Sequence, residues 1–380
     1  MSTHTSMGLD GTIVAQSHLG LIDGDAGCLS FCGYNVHDLA DGAQWEEVLH
    51  LLWHGELPTV AQLSALREEL AVARILTTEE IALVRSLPHN GHAPDVLRAA
   101  VSLLAGLHHP PIMRADTILS DGLRITAKLP MLVAAYARVR AGHEPVQPDA
   151  DLGHAAAFLH ALHGHRPAAE EEAAFNTYLV LLAEHGLNVS TFVARIVTSA
   201  QNDLYAAVDA ALATLKGTAH GGANEYAMRA FLSIGEPTAA PEYIEALLAR
   251  KGRLMGVGHR IYRTEDPRVR HLCQHSAALA ARPHTDVRPH AVAEAVAAYI
   301  LNHPHFQARM LYPNVEFYTA PLLYQLGLPL DTFTLAFAIA RLPGWVGHIR
   351  EQLSVTRLVR PEAEYIGPAP RTFIALGDRQ

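Results

Sequence analysis

Cysteine is scarce in this sequence of 380 residues, which contains only Cys28, Cys32 and Cys273. An odd number of scattered cysteines argues against a disulfide framework and favours a reducing compartment such as the cytoplasm. Cys28 and Cys32 could supply half of a zinc site, but no second pair of cysteines or histidines follows at ligand spacing. We therefore expect no metal.

Long apolar runs are also lacking. No uninterrupted apolar stretch approaches the roughly 18 to 20 residues that are needed to span a bilayer. The first residues, MSTHTSMGLDG, contain neither the basic region nor the apolar region of a signal peptide. These absences predict a cytoplasmic protein that does not interact with membranes.

An excess of positive charge is absent as well, since the net charge is −9. Binding to duplex nucleic acid depends on neutralising its phosphates, so we do not expect a nucleic-acid partner. Residues 250–270 depart from this balance and contain seven basic residues: Arg250, Lys251, Arg253, Arg260, Arg263, Arg268 and Arg270. A solvated basic loop and a binding site for a small polyanion both fit this segment.

The common nucleotide-binding motifs are missing. Gly256-Val257-Gly258 would need a glycine at position 261 to complete G-x-G-x-x-G, and that position is Ile261. No G-x-x-x-x-G-K-[ST] motif occurs either. These absences exclude phosphate loops of the Walker and Rossmann types.

The apolar residues that are present follow the periodicity of helices. They recur three and four apart in segments 44–54, 94–107, 128–140, 153–163, 172–185 and 189–215, which is typical of amphipathic helices. Residues 12–34 instead contain β-branched and aromatic residues on both sides of Asp23-Gly24, which predicts a short hairpin. We therefore predict an all-α protein with an N-terminal β-hairpin.

Within the helical pattern of residues 331–353, Pro343-Gly344 predicts a kink or a break just after Arg341.

Most of the 24 histidines are expected to be ordinary surface or packing residues. His160, His163 and His165 lie close together in sequence, but no carboxylate follows at ligand spacing, which favours a surface cluster over a metal site. His220, in KGTAHGGANE, and His259, in RLMGVGHRIYRTEDPR, differ because flanking glycines permit unusual backbone angles and close contact with a ligand. Turn glycines beside an uninvolved histidine are the alternative at each site.

A further candidate is Glu316, which lies between apolar and aromatic neighbours in NVEFYTA. Such surroundings can raise the pKa of a carboxyl group toward the working range of a general base. A glutamate on an exposed loop is the alternative interpretation.

Three long motifs closely resemble the citrate synthase family in order and spacing: KGTAHGGANE, MGVGHRIYRTEDPR and NVEFYTAPLLYQLGLPLDTFTLAFAIARLPGWVGHIRE. Other segments resemble further parts of the family, so that the resemblance covers nearly the whole chain: GLDGTIVAQSHLGLIDGDAGCLSFCGYNVHDLA, AEHGLNVSTFVAR and LVRPEAEYIGP. The resemblance implies the citrate synthase fold, a helical homodimer in which a smaller inserted domain closes over a large one. We expect the small domain at residues 222–330 and the large domain at residues 1–221 and 331–380.

The resemblance also implies an activity, the condensation of acetyl-CoA with oxaloacetate and hydrolysis of the thioester to citrate and CoA. His220 would donate a hydrogen bond to the thioester carbonyl, Glu316 would remove an α-proton, and His259 would polarise the keto carbonyl. The keto acid would contact His185, Ser190, Arg268, Arg341 and, from the other subunit, Arg360. CoA would contact Lys251, Arg253, Met255, Gly256, Val257, Gly258 and Arg260. The resemblance implies neither a metal nor a cofactor, because histidines and arginines supply the electrophilic assistance.

Two positions depart from the family pattern. Glu316 stands where the family usually has aspartate, and a carboxylate displaced by about 1 Å can cost on the order of a hundredfold in rate. Thr218-Ala219 replaces the family's Pro-Leu before the first catalytic histidine. Two alternatives therefore stay open: a 2-methylcitrate synthase that uses propionyl-CoA, and a homologue that binds CoA or a dicarboxylate without catalysis.

Overall fold

Helices make up most of the computed structural model, which describes residues 7–9, 11–108, 112–283, 285–355 and 357–379. The first nine are α1 (Val36–Gly42), α2 (Trp45–His54), α3 (Val60–Ala73), α4 (Thr78–Ser86), α5 (Ala93–His108), α6 (Ile118–Arg140), α7 (His154–His163), α8 (Ala169–Leu182) and α9 (Val189–Ser199). They are followed by α10 (Leu204–Leu215), α11 (Ala223–Ile234), α12 (Ala240–Ala249), α13 (Val269–Ala280), α14 (Arg288–Asn302), α15 (Pro304–Gln307), α16 (Val315–Gln325) and α17 (Phe333–Val355). The predicted fold class is confirmed.

The N-terminal hairpin is also confirmed, within a sheet of three antiparallel strands. These are β1 (Gly20–Asp23), β2 (Cys28–Phe31) and β3 (Tyr34–Asn35). The register pairs Asp23 with Cys28, and the Asp23 carboxylate accepts hydrogen bonds from the backbone of Asp25 and Ala26 in the turn. The same turn contacts the predicted site, because the backbone amide of Arg263 donates to the carbonyl of Gly24 at 2.9 Å.

The segment 189–215 contains two helices rather than one. The helix α9 ends at Ser199, and Gln201 has a left-handed backbone with φ of 60°. Asp203 then caps α10 by accepting a hydrogen bond from the amide of Ala206. The apolar periodicity continues across the break because both helices bury faces against the same core, so the periodicity alone could not locate it.

The helix α17 lies at the centre of the core. All residues from Phe333 to Ile349 are buried, as expected for a helix that is covered on every side. It packs against α2, α6, α8 and α9. Helices α11 to α16 pack largely among themselves, but the proposed domain boundaries at 222 and 330 stay predictions.

Of the kink or break predicted just after Arg341, the break is wrong, since α17 continues through to Val355, and the kink stays a prediction. Neighbouring elements bind the backbone groups next to the proline. The amide of Gly344 donates to the carbonyl of Ala183 at 3.1 Å, and the indole of Trp53 donates to the carbonyl of Pro343 at 3.1 Å. Tertiary hydrogen bonds thus offset the ladder bond that a proline removes.

The three clustered histidines do not form the surface cluster that their spacing favours. His160 is buried, and its Nδ1 accepts a hydrogen bond from the amide of Asp149 at 3.3 Å. His163 contacts the carbonyl of Leu326 at 2.9 Å. The surface interpretation therefore fits His165 alone, because the helix α7 turns the other two side chains toward neighbouring segments.

Across the described ranges, no helix combines the length and the apolar character that crossing a membrane requires.

Replacing Gly344 by alanine tests the contact between α17 and the end of α8. A Cβ at this position would lie 2.4 Å from both the Ala183 carbonyl oxygen and Glu184 Oε2. The added methyl group would push α17 away from the end of α8, and these buried segments would then lose packing contacts. We therefore expect Gly344→Ala to lower the free energy of unfolding by about 1–3 kcal/mol. Urea denaturation would measure the change.

Gly106→Ala is the matched control, because Gly106 lies in α5 and a Cβ added there would meet no neighbouring atom of the described residues within 4 Å. Alanine forms helix more readily than glycine, so this change should raise the free energy of unfolding by roughly 0.5–1 kcal/mol. Equal stability of Gly344→Ala and wild type would contradict the close packing.

Candidate active site

His220 lies in the turn before α11, and its Nε2 is 2.8 Å from the hydroxyl of Ser190. The same hydroxyl lies 2.7 Å from Oδ1 of Asn188, which caps α9 by accepting from the amide of Thr191. The N-terminus of α9 therefore orients the His220 ring. Gly217, Gly221 and Gly222 do not have a positive φ. They therefore allow close packing of the backbone and do not provide the unusual backbone angles that the sequence suggested.

The surroundings of His220 favour a neutral imidazole. Burial, and then the charge of Arg341, lowers the pKa of His220 to about 4. The ring of Phe337 lies edge-on to the imidazole, with 6.3 Å between centroids. A neutral ring at pH 7 can donate one hydrogen bond and accept another.

His259 lies in the loop between α12 and α13, and hydrogen bonds fix its tautomer. Its Nδ1 accepts from the backbone amides of Ile261 at 3.0 Å and Tyr262 at 3.1 Å. Burial, and then the charge of Arg268, lowers the pKa of His259 to about 4. A neutral imidazole whose Nδ1 accepts must carry its proton on Nε2, so Nε2 is the donor that remains.

His185 follows α8 and joins His259 in one aromatic cluster. The two rings are edge-to-face with centroids 5.5 Å apart, and His185 Nε2 lies 3.1 Å from the hydroxyl of Tyr262. Burial, followed by the charges of Arg268 and Arg341, holds the pKa of His185 well below its ordinary value. This third imidazole is therefore also neutral at pH 7.

Arg268 and Asp266 form a buried bidentate ion pair. The guanidinium Nε and Nη2 donate to the two carboxylate oxygens at 2.9 and 2.7 Å. The same carboxylate accepts from the backbone amide of Val315, the first residue of α16, at 3.1 Å. Asp266 therefore connects a predicted substrate-binding arginine to the helix that carries Glu316.

A second set of bonds connects the His259 loop to α16. The amide of Gly258 donates to the carbonyl of Tyr312 at 2.7 Å, and the amide of Asn314 donates to the carbonyl of Gly256 at 2.9 Å. The side chain of Asn314 also donates to the carbonyl of Gly258 at 2.7 Å. Gly256 has a φ of 81° and its Cβ would lie 2.9 Å from Phe317 Cα, so glycine is required here.

Glu316 lies in the first turn of α16, not on an exposed loop. Asn314 caps this helix by accepting from the Glu316 amide. Burial raises the pKa of the Glu316 carboxyl, while the charges of Arg268 and Arg341 act in the opposite direction. The raised pKa has the direction that its apolar neighbours predict, and a stronger base results.

Arg341 is buried in α17, where its Nε donates to the carbonyl of Leu182 at 2.6 Å. Its guanidinium lies 4.9 Å from the ring centroid of Phe337. Burial lowers the pKa of Arg341 to about 10, although the carboxylate of Glu184 acts in the opposite direction. The residue is therefore cationic at pH 7, and its charge contributes to the lowered pKa values of His220 and His185.

Sequence comparison relates this chain to a known group of enzymes. The family profile described as "Citrate synthase, C-terminal domain" matches residues 8–362. The chain is 40% identical to the citrate synthase of Haloferax volcanii over 385 aligned positions, which cover 100% of both proteins. The chain belongs to the citrate synthase family. It is also 38% identical to 2-methylcitrate synthase 1 of Corynebacterium glutamicum, with 98% of each protein covered.

Structure comparison gives the same family. The chain superposes with a TM-score of 0.91 on the citrate synthase of Thermoplasma acidophilum, solved as a ternary complex with carboxymethyl coenzyme A and oxaloacetate. Identity is 30%, and the match covers 97% of this chain and 98% of the other. The citrate synthase fold is thereby confirmed.

Two groups of residues predicted from the citrate synthase resemblance lie outside the cluster. Arg360 is exposed, in the segment that follows α17. In the expected CoA loop, the cationic residues Lys251, Arg253 and Arg260 are exposed, whereas Met255 packs against the core. The backbone of residues 256–258 is occupied by its pairing with residues 312–314.

Several residues that the sequence did not indicate are part of the site. They are Asn188, Tyr262, Asp266 and Asn314, together with Glu184, which contacts His348 at 3.0 Å. Asn188 and Asn314 each precede an apolar helical segment, which is the signature of a helix N-cap and could have located both. Tyr262 and Glu184 contact residues that are distant in sequence, and the contact of Asp266 depends on the conformation of its loop. No local sequence pattern indicates these three residues.

A metal site is not evident in the portion of the chain covered by the structure, where no group of three or more histidine, cysteine, aspartate or glutamate side chains could hold an ion.

The lowered pKa values predict the titration of His220 and His259. Both imidazoles should protonate only near pH 4, and neutral His259 should carry its proton on Nε2. Side-chain ¹⁵N NMR measures both properties, with a His259→Asn variant to assign the signal. Titration of His259 near pH 6.5, or a neutral form protonated on Nδ1, would be incompatible with the hydrogen bonds described above.

The same shifts predict how stability depends on pH. An unfolded chain titrates these histidines near their ordinary pKa of 6.5. Between about pH 6.5 and pH 4 the unfolded state therefore binds more protons than the folded state, so stability falls as the pH falls through this range. Urea denaturation at several pH values should give a shallower dependence for His259→Asn than for wild type.

Proposed function

We propose that this protein is a citrate synthase, which condenses acetyl-CoA with oxaloacetate and hydrolyses the thioester to release citrate and CoA. The observation that carries the proposal is the group of three neutral imidazoles, the buried His185 and the half-buried His220 and His259, whose pKa values are lowered by burial and by the charges of Arg268 or Arg341. Neutral donors and fixed cations suit a reaction in which negative charge develops on carbonyl oxygens. The family membership and the relatives named citrate synthase support the same assignment.

The keto acid is a dianion, and the arginines are its proposed binding groups. Arg268 uses Nε and Nη2 for Asp266, and Arg341 uses Nε for a backbone carbonyl. Each guanidinium therefore has further N–H groups with which to bind a carboxylate. His259 would donate from Nε2 to the keto oxygen, and its fixed tautomer keeps that proton in place.

Glu316 is the proposed base that removes the α-proton of acetyl-CoA. A thioester α-proton is too weakly acidic for a free carboxylate, so charge on the thioester oxygen must be stabilised as it develops. His220 would donate the required hydrogen bond. The α-carbon would then bond to the keto carbon of oxaloacetate, and water would cleave the thioester.

The role of His220 requires a particular arrangement of protons. A neutral imidazole has one N–H, so donation to the thioester from Nδ1 requires Nε2 to accept. Nε2 is next to the Ser190 hydroxyl, which is also 2.7 Å from Asn188 Oδ1 and has only one proton. In the reactive state, Ser190 would therefore donate to His220 rather than to Asn188.

We further propose that the protein acts as a cytoplasmic homodimer and that Arg360 of one copy reaches the site of the other. Arg360 begins an exposed C-terminal segment with several exposed apolar side chains: Tyr365, Ile366, Phe373, Ile374 and Leu376. Exposed apolar groups of this number favour a protein partner.

Lys251, Arg253 and Arg260 would attract the phosphates of CoA. The proposed reaction needs no metal or cofactor.

A second candidate is 2-methylcitrate synthase, which is favoured by relatives of that name at a similar identity of 38%. The acyl groups of acetyl-CoA and propionyl-CoA differ by one methylene, which is worth only about 1–3 kcal/mol of discrimination. We expect a higher kcat/KM for acetyl-CoA, measured from release of free CoA in the presence of oxaloacetate. A preference for propionyl-CoA would favour the second candidate, and no release from either would favour a non-catalytic homologue.

Substitution of Glu316 tests the proposed base. Glu316→Gln removes the proton acceptor with little change of shape, so turnover should fall by at least about a hundredfold, while calorimetry should detect oxaloacetate binding close to that of wild type. Glu316→Asp is the matched control, because it keeps a carboxylate and should retain measurable turnover. Normal turnover by Glu316→Gln would contradict the assignment.

A further inference from the structure

The hydroxyl of Tyr178 is an unpartnered polar group in the helix α8, which ends close to Arg341. Tyr178 lies in α8 and is fully buried, and within the described residues its Oη has no hydrogen-bond partner. The ring itself is well packed, since it stacks on Phe175 with 5.6 Å between centroids. Phenylalanine would provide the same packing without leaving a polar atom unsatisfied.

The position of Tyr178 relates its hydroxyl to the carboxylate-binding arginine. Tyr178 precedes Leu182 by four residues, so both lie on one face of α8, and the carbonyl of Leu182 accepts from Arg341 Nε at 2.6 Å. The helices α8 and α17 pack against each other. Burial is the main influence on the pKa of the phenol, and the charges of Arg341 and Glu316 also act on it, in keeping with the packing of α8 on α17.

We infer that Tyr178 is a further ligand of the keto acid, whose hydroxyl donates a hydrogen bond to the carboxylate that Arg341 binds. This inference rests on the proposed function. A buried hydroxyl without a partner costs about 1–3 kcal/mol in the free protein, and an entering carboxylate would remove that cost. The hydroxyl is enclosed by protein atoms, so binding in this way would involve movement of the side chains around Arg341.

The chemistry of a phenol suits this role. Burial holds the pKa of Tyr178 well above its ordinary value, so the hydroxyl is protonated and is a donor at neutral pH. Donation to a carboxylate gives a hydrogen bond to a charged group, which is stronger than a bond between neutral groups. The phenol adds no charge, whereas a third cation would add to the repulsion between Arg268 and Arg341.

Tyr178→Phe tests the inference because it removes only the hydroxyl. Without substrate, its Tm should equal or exceed that of wild type, since an unsatisfied group has been removed. Calorimetry should show that oxaloacetate binds about ten- to a hundredfold more weakly. The KM for acetyl-CoA at saturating oxaloacetate should stay unchanged.

Tyr136→Phe is the matched control, because Tyr136 is also buried but its hydroxyl donates to the carbonyl of Pro88 at 2.6 Å. This variant should have a lower Tm and an unchanged affinity for oxaloacetate. The inference is overturned if Tyr178→Phe binds oxaloacetate as wild type does, or if its Tm falls, since a fall would mean that the hydroxyl has a partner in the free protein. Failure of wild type itself to bind oxaloacetate would instead refute the proposed function, and the inference with it.

Discussion

The carboxylate of Asp266 is the group on which the geometry of the site depends. It binds both Nε and Nη2 of Arg268 and also accepts from the first amide of α16. One buried anion therefore fixes an arginine in the loop before α13 relative to the helix that carries Glu316. Loss of this carboxylate would leave a buried guanidinium without its counter-ion, which is among the most costly changes that a protein interior can undergo.

The loop that carries His259 is held from both sides by backbone hydrogen bonds. On one side residues 256–258 pair with residues 312–314, and on the other the amide of Arg263 binds the hairpin turn at Gly24. Two backbone amides of the loop itself then fix the imidazole tautomer. A proton donor held in this way needs little reorganisation when charge develops nearby, which is the condition for electrostatic catalysis.

Much of this arrangement could be predicted from the sequence, and the remainder could not for identifiable reasons. Local signals are sufficient for the helical class and the hairpin, though not for the break between α9 and α10, since apolar periodicity and Asp23-Gly24 depend only on neighbouring residues. The glycines beside His220 and His259 likewise indicate where backbone segments approach closely. Tyr262, which contacts His185 across 77 positions of sequence, has no local signature. The break predicted at Pro343 is wrong for the same reason, because the bonds that sustain α17 come from Ala183 and Trp53.

The two buried arginines differ in how their charge is balanced, and this difference bears on substrate binding. Burial acts to lower the pKa of Arg268, but the field of its bidentate partner Asp266 outweighs burial and holds that pKa above the ordinary value. Arg341 binds a neutral carbonyl through Nε, and burial lowers its pKa to about 10. A buried guanidinium whose charge is not balanced by a neighbouring anion is stabilised more by a bound anion than a guanidinium that already has an anionic partner. The carboxylate of a keto acid would therefore be attracted chiefly to Arg341, whose charge remains to be balanced.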